Sequence, residues 1–282
     1  MPEQTNNRCH QVTTDNLCIL QLNLNKSKKA HLELMNNRLS TKYEIILIQE
    51  PHVNIFNNIR TPNNFRPVFP VNRLQNQDTI RSVIWVNKNI DTSNWIALDI
   101  PDTNDITAIQ IKNTTGIISI FNIYNDCNHS QNEQHLHRYI ANNRQKILAN
   151  PTYQMIWASN FNRHHPLWDD NNDIHLFTQQ AIARAGSIIK LLANYTLDMA
   201  LPKGIPTLQH MVTKRSSRPD NVFITSGLSE LITSCEVDPT SKPPYTDHFP
   251  IITKLQIPQK SANTQISYNF KTTDWTAFKQ NL

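Results

Sequence analysis

Met155-Ile156-Trp157-Ala158-Ser159-Asn160-Phe161-Asn162-Arg163-His164-His165-Pro166-Leu167-Trp168-Asp169-Asp170 is the stretch from which a layered fold can be read. Its apolar start, Met155-Ile156-Trp157, has the character of a buried strand. It empties into a polar turn crowded with amides and imidazoles, groups that hold phosphates and metals. In α/β folds, ligands sit beyond the carboxyl ends of strands. Asn160, Asn162, His164 and His165 are therefore expected at the mouth of a site.

Outward from this stretch, residues 17–25 begin as an apolar run and pass into alternation. That is a strand buried first on both faces, then on one, and it delivers Asn23 near its carboxyl end. A helix is expected over 30–39, and a second buried strand over 45–48 ends in Gln49-Glu50-Pro51-His52. This strand–helix–strand order predicts a layered α/β domain. Residues 51–79, rich in Asn and Pro, read as loop. Strands at 82–86, 95–100, 106–111 and 117–124, separated by turn clusters at 101–105 and 113–116, read as an antiparallel meander. A helix over 131–148 is stopped by Asn150-Pro151, and another spans 178–195 with Ile182, Ile188, Ile189, Leu191 and Leu192 as core candidates. Short strands come next at 197–200, 221–225, 234–237 and 249–256. Two helix-bearing halves around strand runs predict two packed sheets flanked by helices. Residues 1–16 read as a disordered leader, 17–257 as the folded domain and 258–282 as a polar tail.

The 282 residues are enough to bury a sizeable core. Only 4 are Gly, and no Gly-rich phosphate loop appears, which argues against Rossmann and P-loop nucleotide sites and leaves no small-molecule cofactor expected. The net charge of +5 suits an anionic partner such as nucleic acid, and equally suits a plain basic surface. The 4 cysteines, Cys9, Cys18, Cys127 and Cys235, form no C-x-x-C pair, so a cysteine-built zinc site is not expected. Scattered thiols fit a reducing compartment. The first sixteen residues lack the apolar core of a signal peptide, and no run approaches the roughly 20 apolar residues of a membrane span. The expectation is an intracellular chain with no membrane partner.

Several polar residues at strand ends could share one chemistry. Glu50 closes an apolar strand, where a carboxylate is costly unless paired or bound to a cation. Mg²⁺ often takes only one or two carboxylates plus water and phosphate oxygens. Tyr124 closes the strand of Phe121-Asn122-Ile123, and a phenol can donate to a phosphate oxygen. In Tyr245-Thr246-Asp247-His248-Phe249-Pro250-Ile251, a His beside an Asp enters an apolar strand. Such a His can stabilise charge on a transferring phosphoryl group if a carboxylate holds its other nitrogen, and Asp220 is a candidate for that carboxylate. Taken singly, each is an ordinary rim or turn residue.

Taken in order they resemble a family. Asn23, Gln49-Glu50-Pro51, Asn122-Ile123-Tyr124, Asn160-Phe161-Asn162, Asp220 and Thr246-Asp247-His248-Phe249-Pro250 match the motif order of the endonuclease/exonuclease/phosphatase superfamily. The segment 201–207 also looks like the family's run before the penultimate motif. His164-His165-Pro166-Leu167-Trp168 resembles the branch encoded by LINE-type (non-LTR) retrotransposons. The short stretch 269–275 is similar to the segment that joins that nuclease domain to a reverse transcriptase. The resemblance implies an α/β (α+β) four-layer sandwich of two packed mixed β-sheets flanked by helices. It implies Mg²⁺ or Mn²⁺ on Glu50, with Asn23 and Asp247 nearby. Tyr124 and Asn162 would hold the scissile phosphate, and His248, oriented by Asp220, would stabilise the transition state. The partner would be DNA, nicked to leave a 3′ hydroxyl that primes reverse transcription, in the nucleus. Lys28, Arg163, His164 and Arg218 are the expected DNA contacts, within a groove that also takes in Lys26, Lys29, Lys214 and Arg215.

One letter departs from the pattern. Where the family has the Asp that orients or deprotonates the attacking water, this chain has Asn160. An amide neither accepts a proton usefully nor carries charge toward a metal. General-base assistance is worth roughly 10²–10⁴-fold. Two readings stay open: an endonuclease with impaired catalysis, and an inactive nuclease-like DNA-binding remnant. Partial replacement of the lost acid by Asp169, Asp170 or a metal-bound hydroxide is a third, lesser possibility.

Overall fold

The structure, a computed structural model, describes residues 14–71, 79–113, 116–127, 129–258 and 279–280. Residues 1–13 of the expected leader, 72–78 of the expected loop, Thr114 and Thr115 of an expected turn, and the 269–275 stretch lie outside the described residues.

The first half opens with β1 (Thr14–Asn23), α1 (Lys28–Asn36) and β2 (Ile45–Gln49), followed by β3 (Phe65–Val68) and β4 (Ser82–Asn87). Next come β5 (Trp95–Leu98), β6 (Ile106–Lys112) and β7 (Ile117–Tyr124), then the helices α2 (Gln131–Asn142) and α3 (Arg144–Ile147). The last part holds β8 (Tyr153–Asn160), α4 (Gln179–Asn194), β9 (Leu197–Met199), β10 (Leu208–Gln209), β11 (Ser216–Ser217), β12 (Asp220–Thr225), β13 (Ile232–Val237) and β14 (Ile251–Pro258).

Two six-stranded sheets carry the fold, in the orders β13-β14-β1-β2-β4-β3 and β5-β6-β7-β8-β12-β9. Each is antiparallel except at its centre, where β1 and β2 pair in parallel in the first sheet and β7 and β8 in the second. Parallel neighbours need a crossover, and helices supply it: α1 in one unit, α2 and α3 in the other.

Alternation along the strands builds the layers. Leu17, Ile19, Ile45, Leu47 and Ile84 point into a core shared with Ile109, Ile118, Ile120, Ile156 and Val222 of the second sheet. The opposite faces are also apolar. Leu20, Leu22, Ile46, Ile48 and Trp85 pack on Ala30 and Leu34 of α1, while Phe121, Met155, Trp157 and Phe223 pack on Leu136, Ile140, Ile188 and Leu191 of α2 and α4. The result is the expected four-layer sandwich of two mixed sheets flanked by helices. Capping sets the helix starts: Ser27 Oγ accepts from Ala30 N–H at 3.2 Å, and Thr178 Oγ1 from Ala181 N–H at 3.1 Å.

Several expectations need correction. The stretch 51–79 is not all loop: Phe65-Arg66-Pro67-Val68 forms β3 at the edge of its sheet, the one place where a strand tolerates proline. The meander is split, because β4 pairs with β2 and β3 in the first sheet and only β5, β6 and β7 run on in the second. Local patterning cannot report such a change of sheet. The helix expected over 131–148 breaks at Asn143, whose side chain donates to Tyr139 O at 2.9 Å. Ile182, taken as core, is 39% exposed. β1 begins at Thr14, so residues 14–16 pair with 256–258 of β14.

Candidate active site

The two parallel pairs end at the same edge of the sandwich. β1 and β2 deliver Asn23 and Gln49-Glu50, and β7 and β8 deliver Tyr124 and Asn160. β12 runs antiparallel to β8 and β14 antiparallel to β1, so their starting ends lie at that edge too. Hence Asp220, which opens β12, and Asp247-His248, just ahead of β14, join them. Tyr124, Asn160 and Asp220 are register partners, forming one row across three strands.

On the first sheet a chain of hydrogen bonds links two carboxylates. Glu50 Oε2 accepts from Asn23 Nδ2 at 3.3 Å, Asn23 Oδ1 accepts from Asn25 N–H at 2.7 Å, and Asn25 Nδ2 donates to Asp247 Oδ1 at 3.5 Å. Lys26 Nζ lies 3.2 Å from Glu50 Oε1. Asn25, Lys26 and Glu50 all have positive φ, at 49°, 56° and 44°. For non-glycine residues this conformation is costly and persists only where surroundings fix it, as at functional sites. Glu50 is only 8% exposed.

A second chain ties the sheets together. His248 Nδ1 is 2.8 Å from Asp220 Oδ2, which also accepts from Thr207 Oγ1 at 2.9 Å. His248 Nε2 lies 3.9 Å from Asp247 Oδ1. Burial pulls the His248 pKa down, but the carboxylates of Asp220, Asp247 and Glu50 outweigh it and hold the pKa above the usual histidine value. The ring is thus set to carry a proton in an otherwise acidic pocket.

On the second sheet, Asn162 (φ 52°) donates from Nδ2 to Asn125 O at 2.7 Å. Asn125 is held in turn by Glu133 Oε1 at 2.7 Å and Phe161 O at 3.1 Å. Burial, then the negative charge of Glu50, pushes the Tyr124 phenol well above its ordinary pKa, so it stays a hydrogen-bond donor. The guanidinium of Arg81 lies 4.7 Å from that ring's centre while bound to Asp105 and Asp126. Asn160 is 2% exposed and its Oδ1 finds no protein hydrogen-bond partner.

All eight expected catalytic positions, Asn23, Glu50, Tyr124, Asn160, Asn162, Asp220, Asp247 and His248, therefore lie along one edge of the sandwich. Two of the four expected DNA contacts do not belong on a surface. Arg163 is 3% exposed, bonded to the carbonyls of Asp126, His129 and Asn162 and paired with Glu133 at 3.3 Å. Arg218 is 2% exposed, bonded to Leu201 O, Pro202 O and Asn221 Oδ1, and burial pushes its pKa down to about 10. Both act as ties between loops. Lys28 is exposed and His164 is half-buried against Asp169.

The His-His-Pro-Leu-Trp run folds its own loop. Asp169 is wholly buried with Oδ2 accepting from His165 N–H at 2.8 Å, and Trp168 Nε1 donates to Arg163 O at 3.0 Å. Asp170 Oδ1 accepts from Asn172 N–H at 2.8 Å. Asp169 is thus tied into the loop, which removes it as a stand-in for the missing acid. Asn125 and Asn25 join the site without a sequence signal, and Thr207 does so from within the family-like segment 201–207. Thr207 closes the segment 201–207, and Asn125 directly succeeds Tyr124, but no periodicity marks either.

Among the described residues, no group of three or more His, Cys, Asp or Glu side chains forms a metal cage. Glu50 and Asp247 are linked through Asn23 and Asn25, and one or two carboxylates are as many as Mg²⁺ often takes from a protein. Among the described residues, no helix is long and apolar enough to cross a membrane.

A model of the family described as endonuclease-reverse transcriptase matches residues 118–252. No curated protein sequence matches the chain. Among solved structures, the endonuclease domain of TRAS1, a telomere-specific non-LTR retrotransposon, is 21% identical with a TM-score of 0.65, over 85% of this chain and 98% of that one. The AP endonuclease LMAP of Leishmania major is 12% identical with a TM-score of 0.67, over 86% of this chain and 88% of its own. The APE2 catalytic domain of Xenopus laevis is 14% identical with a TM-score of 0.58, over 88% and 94%. The chain has the fold of the endonuclease/exonuclease/phosphatase superfamily. Over residues 118–252 it resembles the endonuclease-reverse transcriptase family, and its fold is similar to that of the TRAS1 retrotransposon endonuclease.

Proposed function

We propose that the chain is a divalent-metal-dependent phosphodiesterase of the retrotransposon endonuclease type, whose turnover is weakened by Asn160. The observation that carries this reading is the Asp220–His248–Asp247 chain meeting the Glu50–Asn23–Asn25–Asp247 chain at one sheet edge. The substrate would be DNA, nicked in one strand, and the place of action the nucleus.

Glu50 and Asp247, with Asn23 beside them, would hold Mg²⁺ or Mn²⁺, which would neutralise charge on the scissile phosphate and its leaving oxygen. Tyr124 and Asn162 donate hydrogen bonds to the non-bridging oxygens and fix the phosphate. His248, its Nδ1 held by Asp220 and its pKa raised by the neighbouring carboxylates, presents Nε2 to the charge that builds on phosphorus. Water oxygen bonds to phosphorus as the P–O3′ bond breaks; the water gives up a proton to solvent, O3′ takes one from solvent to become the 3′ hydroxyl, and the phosphate stays on the 5′ side. Asn160 can align that water but cannot take its proton.

The buried Asn160 amide also favours a second reading, in which the chain binds DNA without cleaving it. Nicking of supercoiled plasmid separates the two. The first reading predicts a weak Mg²⁺-dependent activity, abolished by EDTA, that rises roughly 10²–10⁴-fold in Asn160→Asp. If Asn160→Asp gives no nicking above a Glu50→Ala control, the catalytic assignment is wrong. Metal-dependent DNA binding with no cleavage in either form would leave the second reading.

A further inference from the structure

Two large apolar side chains stand bare in the loop that follows Glu50. Ile55 is 93% exposed and Phe56 76% exposed, five and six residues beyond Glu50. Exposed apolar residues on a mobile loop would need no explanation, but this loop is built. Asn54 Oδ1 accepts from the N–H groups of Phe56 and Asn58, each at 2.9 Å, and Asn54 and Asn58 also bond through their backbones at 3.0 Å. Both feet are tied to α1 by one buried imidazole. His31, 2% exposed, accepts at Nδ1 from His52 N–H at 3.2 Å and donates from Nε2 to Arg60 O at 2.9 Å. Its ring packs edge-on against Trp85, with centroids 5.5 Å apart. The fold thus fixes the tip in advance, which cuts the entropy cost of any contact it makes.

The surroundings of the tip select an anionic partner. A hollow of about 100 Å³ at the base of the loop is lined by Lys28, His52 and Arg60. Arg60, at the foot of the loop, is exposed, and the loop from Pro51 to Arg60 holds no acidic residue. A rigid apolar tip flanked by cations fits duplex DNA, whose phosphates meet the cations while an apolar side chain enters between base steps. We propose that Ile55 and Phe56 form a wedge that enters the duplex beside the scissile phosphate and locally unstacks it, with Lys28 and Arg60 on the flanking backbone. This inference rests on the DNA reading of the preceding subsection and adds to it a specific contact outside the catalytic row.

The test is a binding titration, so it does not depend on turnover. A duplex oligonucleotide carrying 2-aminopurine is titrated with the unaltered chain, with the double variant I55A/F56A and with K28A/R60A, over a range of salt. The unaltered chain is expected to bind and to raise 2-aminopurine fluorescence as the base unstacks. I55A/F56A is expected to bind about tenfold more weakly, to lose that rise, and to keep the same dependence of affinity on salt. K28A/R60A is expected to show a shallower salt dependence. All the altered side chains except that of Lys28 lie on or at the foot of the loop, and an unchanged thermal unfolding midpoint checks that each variant is folded. Equal binding and fluorescence for I55A/F56A and the unaltered chain would overturn the wedge and leave the DNA reading standing. No binding of duplex by the unaltered chain would overturn both. Binding to anionic phospholipid vesicles that depends on Ile55 and Phe56, with DNA binding unaffected by them, would reassign the tip to a membrane surface and overturn the wedge.

Discussion

Three carboxylates facing His248 hold its pKa above the usual histidine value. Burial alone would lower its pKa, and Asp220, 2.8 Å away, is the chief opposing influence. A folded-state pKa raised above the unfolded value of about 6.5 gives stability that is complete below that pH. The contribution is then lost as pH rises through the folded value. Asp220→Asn should lower the His248 imidazole titration midpoint observed by NMR and flatten this alkaline loss in denaturant unfolding. A midpoint that stays put would show that Asp220 does not hold the proton. His31 has the opposite sign. Burial lowers its pKa, and its neutral ring both accepts and donates. Its contribution is present above about 6.5 and lost as pH falls through the folded value. His31→Ala should abolish that acid-side loss and speed amide exchange at His52; unchanged exchange would mean that the loop stands without the clamp. The position of the candidates at one edge was legible in the sequence because each lies at, or a few residues from, the end of an apolar strand. Arg163 and Arg218 were misread because a cation's burial depends on carbonyls supplied by distant loops, which no local pattern records.

At the level of elements, the site depends on how the two sheets are stitched together just behind it. Asn122 of β7 accepts from Gln49 Nε2 of β2 at 2.6 Å and donates to Ile48 O and Val83 O at 2.9 and 3.0 Å. Ser82 of β4 adds a bond to Asn122 O at 2.9 Å and another to Thr107 at 2.6 Å. These groups are buried between sheets, so removing one partner leaves others unpaired. Asn122→Ala should cost about 1–3 kcal/mol or more in denaturant unfolding, several groups being orphaned at once. A loss under about 0.5 kcal/mol, the usual effect of a surface change, would show that the stitch carries no weight. The helices and most strands were readable from apolar spacing and caps. The edge strand β3 and the passage from β4 to β5 between sheets were not, because pairing partners lie far along the chain and β3 contains a proline.

The whole molecule is two similar units back to back. Each centres on a parallel strand pair with a helical crossover, and each sends polar residues from strand ends to the shared edge. Glu50 comes from the first sheet and Asn162 from just beyond the second. If they act on one phosphate, their losses will not add, since residues working as a unit fail together. The decisive measurement is single-turnover nicking in the Asn160→Asp background, with Glu50→Ala, Asn162→Ala and both together. Each single change is expected to drop the rate by orders of magnitude to nearly the same floor, and the double change to go little lower. Losses that multiply in the double variant, or a single change that leaves the rate intact, would contradict a common centre built by the two sheets.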